Sequence, residues 1–91
     1  MHELSRLELS EAAFVQLAEI CVLDRAFPNS YEGWEDLTAR ANRDAANQGR
    51  GLPAPLHLDP TDFGAWCQYV QVMPCLDSLR AYAVVVRRRR A

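Results

Sequence analysis

The chain has 91 residues, of which 49% are hydrophobic and 24% charged, and its formal net charge is −2. This length corresponds to one domain, over residues 1–91, and the apolar fraction excludes an intrinsically disordered protein. The longest apolar run, residues 81–86, is too short for a membrane span, and the N-terminus does not resemble a signal peptide. We therefore expect a cytoplasmic protein.

Charge is distributed unevenly along the chain. Residues 1–86 contain twelve acidic residues against six arginines, whereas residues 87–91 contain four consecutive arginines, and lysine is absent throughout. Because lysine codons are AT-rich, this composition indicates a GC-rich bacterial genome or one of its mobile elements, a phage or plasmid. A terminal cationic segment of this density is typical of contacts with phosphate or with an acidic protein surface.

Three cysteines, Cys21, Cys67 and Cys75, lie in apolar surroundings without short paired spacing. An odd number does not build a closed disulfide framework, so we predict reduced core thiols. Together with His57 they are the residue types of a zinc site or of a thiol–imidazole pair, but the two tight ligand pairs of a zinc site are missing. The sequence therefore predicts no catalytic residue, no metal and no cofactor.

The first predicted helix begins after the N-cap Ser10 and continues to Phe27, where Pro28 stops it. Its polar residues are scattered around the helical wheel, so the helix is apolar on most sides. A chain this short cannot cover such a helix by itself, and we therefore predict a homodimer.

The second predicted helix is capped by Asn29 or Ser30, and Asn29 with Glu32 fits a capping box. One apolar stripe of this helix contains Tyr31, Trp34, Leu37, Thr38, Ala41 and Ala45. The helix is predicted to end at Gly49, and residues 49–55 form a Gly/Pro loop.

The third predicted helix has the strongest start in the chain, with Asp59 as the cap and Pro60 at the first helical position. Its apolar stripe contains Phe63, Trp66, Cys67, Val70 and Met73. Pro74 ends or kinks it, and a fourth helix is predicted from Cys75 into the arginines. The alternative for residues 82–86 is a strand, because they are rich in valine, and residues 56–58 would pair with it.

Two segments of the chain resemble each other. Residues 7–14 and residues 56–63 each contain Leu-x-Leu, a capping residue and an aromatic residue four positions after the cap. An apolar residue on each side of the cap at this spacing forms a hydrophobic staple. We interpret the resemblance as local convergence that strengthens both helix starts.

These patterns predict an all-α bundle of three to four helices, with α+β as the alternative if residues 82–86 form a strand. The predicted core contains Phe14, Leu17, Ile20, Trp34, Leu37, Phe63, Trp66, Val70, Leu76 and Leu79.

The predicted function is that of a non-enzymatic adaptor or inhibitor that binds another protein. Residues 1–36 contain eight acids and two arginines, and aromatic residues often anchor interfaces. The candidate protein-binding residues are Glu8, Glu11, Glu19, Tyr31, Glu32, Trp34, Glu35 and Asp36, of which Trp34 is also a core candidate. The alternative is a nucleic-acid-binding accessory protein that uses Arg87, Arg88, Arg89 and Arg90 as a phosphate clamp.

Overall fold

Four α-helices make up most of the residues that the computed structural model describes, which are 2–49 and 51–90. In chain order the elements are a 3-10 turn His2–Leu4, β1 Leu7–Glu8, α1 Glu11–Ile20, α2 Tyr31–Asn47, β2 Leu56–His57, α3 Pro60–Val70 and α4 Leu76–Arg90. The prediction of a small helical bundle is confirmed. Arg50, in the predicted Gly/Pro loop, and Ala91, in the predicted tail, lie outside the described residues.

The two short strands pair with each other in parallel, with Leu7 opposite Leu56 and Glu8 opposite His57. The backbone N–H of Leu58 donates to the carbonyl of Glu8 at 3.0 Å. The alternative pairing of residues 56–58 with residues 82–86 is wrong, because the latter belong to α4. In α4 the buried residues Leu76, Leu79 and Ala83 recur at helical spacing, and their packing outweighs the strand preference of the valines.

The helices begin where local capping chemistry predicts. The Ser10 Oγ accepts from the N–H of Ala13 at 3.1 Å, and the Asp59 Oδ1 accepts from the N–H of Thr61 at 2.9 Å. Ser30, and not Asn29, caps α2. Gly49 has a φ of 70°, as expected for the glycine that follows a helix.

α1 ends at Ile20, so the predicted extension of the first helix to Phe27 is wrong. The carboxylate of Asp24 accepts from the N–H of Ala26 at 2.9 Å and from the N–H of Leu76 at 2.7 Å. A short acidic side chain that binds nearby backbone N–H groups competes with helix formation, and here it also caps the start of α4. The connection after α1 therefore adjoins the connection before α4.

The core is formed by all four helices and by the N-terminal segment. Its buried members include Leu4, Leu7, Leu9, Phe14, Leu17, Trp34, Leu56, Leu58, Phe63, Leu76 and Leu79, and Ile20, Leu37 and Trp66 pack against them. Val70 was predicted in the core but is 39% exposed, because α3 ends there and Gln71 turns the chain away in the left-handed conformation. Within the described residues, no helix is long and apolar enough to cross a membrane.

Candidate functional site

A groove lies between the N-terminal ends of α1 and α2. It has a volume of about 650 Å³ and is lined by Glu11, Phe14, Val15, Ser30, Tyr31, Glu32 and Glu35. The three glutamates are exposed, and none forms an ion pair with another described side chain. The groove, called here the acidic groove, therefore combines an apolar floor with a rim of three negative charges that have no ion-pair partner among the described side chains.

The floor of the acidic groove is held in place by its aromatic residues. The Tyr31 hydroxyl donates to the carbonyl of Leu9 at 2.8 Å. The Tyr31 ring lies 5.9 Å from the Phe14 ring, and Phe14 stacks in turn on Phe27 at 5.9 Å. Because these contacts tie Tyr31 to α1 and to the segment just before it, a ligand would meet a preformed wall.

The acidic groove unites four of the eight residues that the sequence indicated for protein binding. Glu8, Glu19 and Asp36 are exposed but do not line it, and Trp34 is only 2% exposed. Trp34 is therefore a core residue and cannot contact a partner in this conformation. The sequence reasoning did not single out Val15 for this groove, because only its position one turn after Glu11 and its exposure in the fold place it there.

The arginines Arg87, Arg88 and Arg89 of α4 differ in their surroundings. The Arg87 guanidinium donates to the carbonyls of Glu3 at 3.0 Å and Ser5 at 2.6 Å, and burial lowers the pKa of this side chain. Arg88 and Arg89 are exposed, and the side chain of Arg90 lies outside what is described. Successive residues of a helix point about 100° apart, so Arg87, Arg88 and Arg89 face different sides of α4.

Arg87 has a structural role because the segment that it holds is itself part of the core. Leu4 and Ser5 are fully buried, and the Ser5 hydroxyl donates to the Asn42 Oδ1 at 2.7 Å. The N–H of Arg6 donates to the same oxygen at 3.0 Å. The N-terminal segment is thus fixed to α2 through Asn42 and to α4 through Arg87.

Arg89 lines a second cleft, between α3 and α4. This aromatic cleft has a volume of about 380 Å³ and is lined by Asp62, Ala65, Trp66, Tyr69, Tyr82 and Arg89. The Tyr82 ring lies 5.4 Å from Trp66 and 5.5 Å from the buried Phe63. The sequence reasoning placed Trp66 in the core stripe of α3. The positions 62, 65, 66 and 69, at i, i+3, i+4 and i+7, were the available signal for this second face.

The three cysteines lie near enough for Cys67 and Cys75 both to act on the thiol of Cys21, although 54 positions separate the first from the last. Burial raises the pKa of Cys21 to about 12, with added effects from the Asp24 carboxylate and the two other thiols, and burial also raises the pKa of Cys67. The Ser78 hydroxyl lies 3.4 Å from the Cys75 sulfur. His57 is exposed on β2, opposite Glu8. Thiols whose pKa values are raised are poor nucleophiles and poor metal ligands.

Among the residues that the structure describes, no group of three or more His, Cys, Asp or Glu side chains has the arrangement of a metal site. No protein-family model, curated protein or solved structure matches this chain.

Proposed function

We propose that the chain is a non-enzymatic interaction protein, an adaptor or inhibitor of bacterial or mobile-element origin, which binds a basic and partly apolar segment of another protein. The acidic groove carries this proposal. Its three exposed glutamates surround Val15 and Tyr31 and have no ion-pair partners among the described side chains. A partner segment with arginine or lysine beside an apolar residue would satisfy the rim and the floor together.

The contribution of the groove is expected to be specificity and a fast association rate more than a very high affinity. The rim glutamates are exposed, and exposed ion pairs contribute about 0.2–1 kcal/mol each and are screened by salt. The apolar floor adds a term that salt does not weaken, since Val15 is 52% exposed and would be covered by the partner. Binding should therefore weaken with salt without disappearing.

The test uses a synthetic peptide that alternates arginine and leucine, labelled for fluorescence anisotropy. The double variant Glu32→Gln/Glu35→Gln should bind the peptide roughly two- to thirtyfold more weakly than the natural chain. The matched control is Glu19→Gln/Asp36→Asn, which removes the same charge from exposed positions outside the groove. Equal weakening in both double variants would mean that the net charge, and not the groove, attracts the peptide, and the proposal would fail.

A cytoplasmic location and a homodimer are further parts of this proposal. The three cysteines are unpaired, which suits a reducing compartment. Surplus apolar surface lies on the two adjoining connections, where Val22, Leu23, Val72 and Met73 are each at least 42% exposed. Apolar side chains exposed in this number are typical of association surfaces, and sedimentation of the natural chain beside Leu23→Asp tests for a dimer.

The second candidate is a nucleic-acid-binding accessory protein that acts through the end of α4. The exposure of Arg88 and Arg89 supports it, whereas Arg87 is engaged with backbone carbonyls. The appropriate truncation ends at Arg87, because it keeps both of these hydrogen bonds and removes the cations beyond. Binding to DNA or RNA with a log–log salt slope of about −2 to −3, lost in this truncation, is the expected result, and no binding at low salt would overturn it.

A further inference from the structure

We propose that the aromatic cleft stacks an unpaired base of a single-stranded nucleic acid and holds the neighbouring phosphate at Arg89. This inference rests on the second candidate function and adds to it a preference for single strands over duplex. It depends on the shape of the cleft, on the rings that line it and on the placement of its charges.

The cleft is built from one face of each helix. Asp62, Ala65, Trp66 and Tyr69 follow the i, i+3, i+4, i+7 spacing on α3, and Tyr82 and Arg89 are two turns apart on α4. Because Ala65 ends at Cβ, the α3 wall is open between the larger side chains. The result is a cleft about 380 Å³ in volume between two packed helices.

The aromatic rings at the cleft become more exposed from the core towards the surface. Phe63 is fully buried, Tyr82 and Trp66 are half-buried and in ring contact, and Tyr69 is 85% exposed. The inner rings fix the position of the outer part of the cleft. Tyr69 provides an aromatic face that the fold leaves in water, where stacking on a planar ligand would cover it. Every base has such a planar face, so the recognition would tolerate different sequences.

The charges at the cleft determine how much of the affinity comes from stacking on the base and how much from the phosphate contact. Arg89 lines the cleft and is available for the phosphate beside the stacked base, whereas the exposed Arg88 is not among the residues that line it. Asp62 also lines the cleft, so its negative charge would oppose a phosphate bound there. The phosphate contact is therefore weak by itself, and stacking must supply much of the affinity.

Because stacking supplies much of the affinity, the cleft should prefer single strands to a duplex. In a duplex the bases are already stacked on one another and paired, so Tyr69 and Trp66 would gain no base face, and only the weak phosphate contact would remain. In a single strand one base can enter the cleft while its phosphate reaches Arg89. The preference for single strands should consequently depend on Tyr69, and the salt dependence should depend on Arg89.

The experiment compares a labelled oligouridine with a labelled hairpin duplex in anisotropy titrations at low salt, using the full chain. Tyr69→Ala should weaken oligouridine binding roughly five- to a hundredfold and leave duplex binding unchanged. Leu52→Ala is the control, since Leu52 is an exposed apolar residue that lies outside the cleft, the acidic groove and the apolar connections.

Two charge variants complete the design. Arg89→Gln should weaken binding and flatten its salt dependence, whereas Arg25→Gln, at an exposed position after α1, should not. Asp62→Asn should tighten oligouridine binding, because it removes the carboxylate that opposes the phosphate. A gain of binding in this variant is not a result that loss of folding can produce.

The outcomes distinguish binding in the aromatic cleft from phosphate binding by the arginines alone. Loss of single-strand binding in Tyr69→Ala together with a gain in Asp62→Asn would support the proposal. Equal binding of single strand and duplex, unaffected by Tyr69→Ala but lost when residues 88–91 are removed, would overturn the cleft while leaving the phosphate clamp standing. Absence of binding to both probes at low salt would overturn the cleft and the second candidate function together.

Discussion

Two segments of this protein begin alike and end on different surfaces. The first consists of β1, the cap Ser10 and α1, and the second consists of β2, the cap Asp59 and α3. Their strands pair in register, and the aromatic residue four positions after each cap, Phe14 or Phe63, is buried. The resemblance in sequence is thus accompanied by a side-by-side placement in the fold.

The two segments differ in the helix that packs beside them. α1 meets α2, and the space between them is the acidic groove with Tyr31, Glu32 and Glu35. α3 meets α4, and the space between them is the aromatic cleft with Tyr82 and Arg89. The same local pattern therefore starts both helices, while the neighbouring helix determines the chemical character of the surface.

The largest expected effect comes from the paired aromatic residues. Phe14→Ala and Phe63→Ala should each lower the free energy of unfolding by about 3–5 kcal/mol, because each removes a buried ring and leaves a cavity. Urea denaturation followed by circular dichroism measures both. If one variant cost less than about 1 kcal/mol, the two segments would not be equivalent in the core.

The next largest effect on stability is expected from the loss of Arg87, and it distinguishes Arg87 from the exposed arginines of α4. Arg87→Gln should lower the free energy of unfolding by about 1–2 kcal/mol, since it disrupts two charge-assisted hydrogen bonds to the carbonyls of Glu3 and Ser5 at a partly exposed site. Arg88→Gln is the matched control and should change it by less than about 0.5 kcal/mol. Similar urea midpoints for the two variants would contradict the structural role of Arg87.

The caps offer a finer test of the comparison. Ser10→Ala and Asp59→Ala should each cost about 1 kcal/mol, because each leaves a backbone N–H at a helix start without its side-chain acceptor. Glu8→Ala, at an exposed position on β1, is a control that should cost much less. A large difference between the two cap variants would show that the helix starts depend on their surroundings more than on the cap.

The smallest effect concerns the buried thiol at the end of α1. Cys21 is buried at the end of α1, and burial raises the pKa of its thiol to about 12. The unfolded chain releases this proton near its ordinary pKa while the folded chain retains it, so stability falls as the pH rises. Between pH 8 and 9 the expected loss is about half a kcal/mol for this group.

Thermal or urea unfolding at several pH values measures this loss. Cys21→Ala should remove the share of the pH dependence that belongs to Cys21, and Cys75→Ala provides a comparison at a half-buried thiol. An unchanged slope in Cys21→Ala would assign the pH dependence to other groups.

Much of the fold follows from local sequence. The caps Ser10, Ser30 and Asp59 and the glycine after α2 act through backbone groups within a few residues, so their effects do not depend on the rest of the chain. The buried stripe of α2 follows from the helical period alone. The end of α1 was not predictable in this way, because Asp24 binds the start of α4, which is distant in sequence.

The candidate sites belong mostly to the tertiary structure. Glu11, Glu32 and Glu35 are predictable from the sequence as surface residues, because carboxylates are costly to bury, and Tyr31 is a candidate beside them because aromatic residues often anchor interfaces. Only the packing of α1 against α2 brought them into one groove with Val15, and only the packing of α4 against the N-terminal segment gave Arg87 a different role from Arg88 and Arg89. Helix period and capping are properties of a few consecutive residues, whereas a groove or a clamp requires two segments whose contact no local pattern specifies.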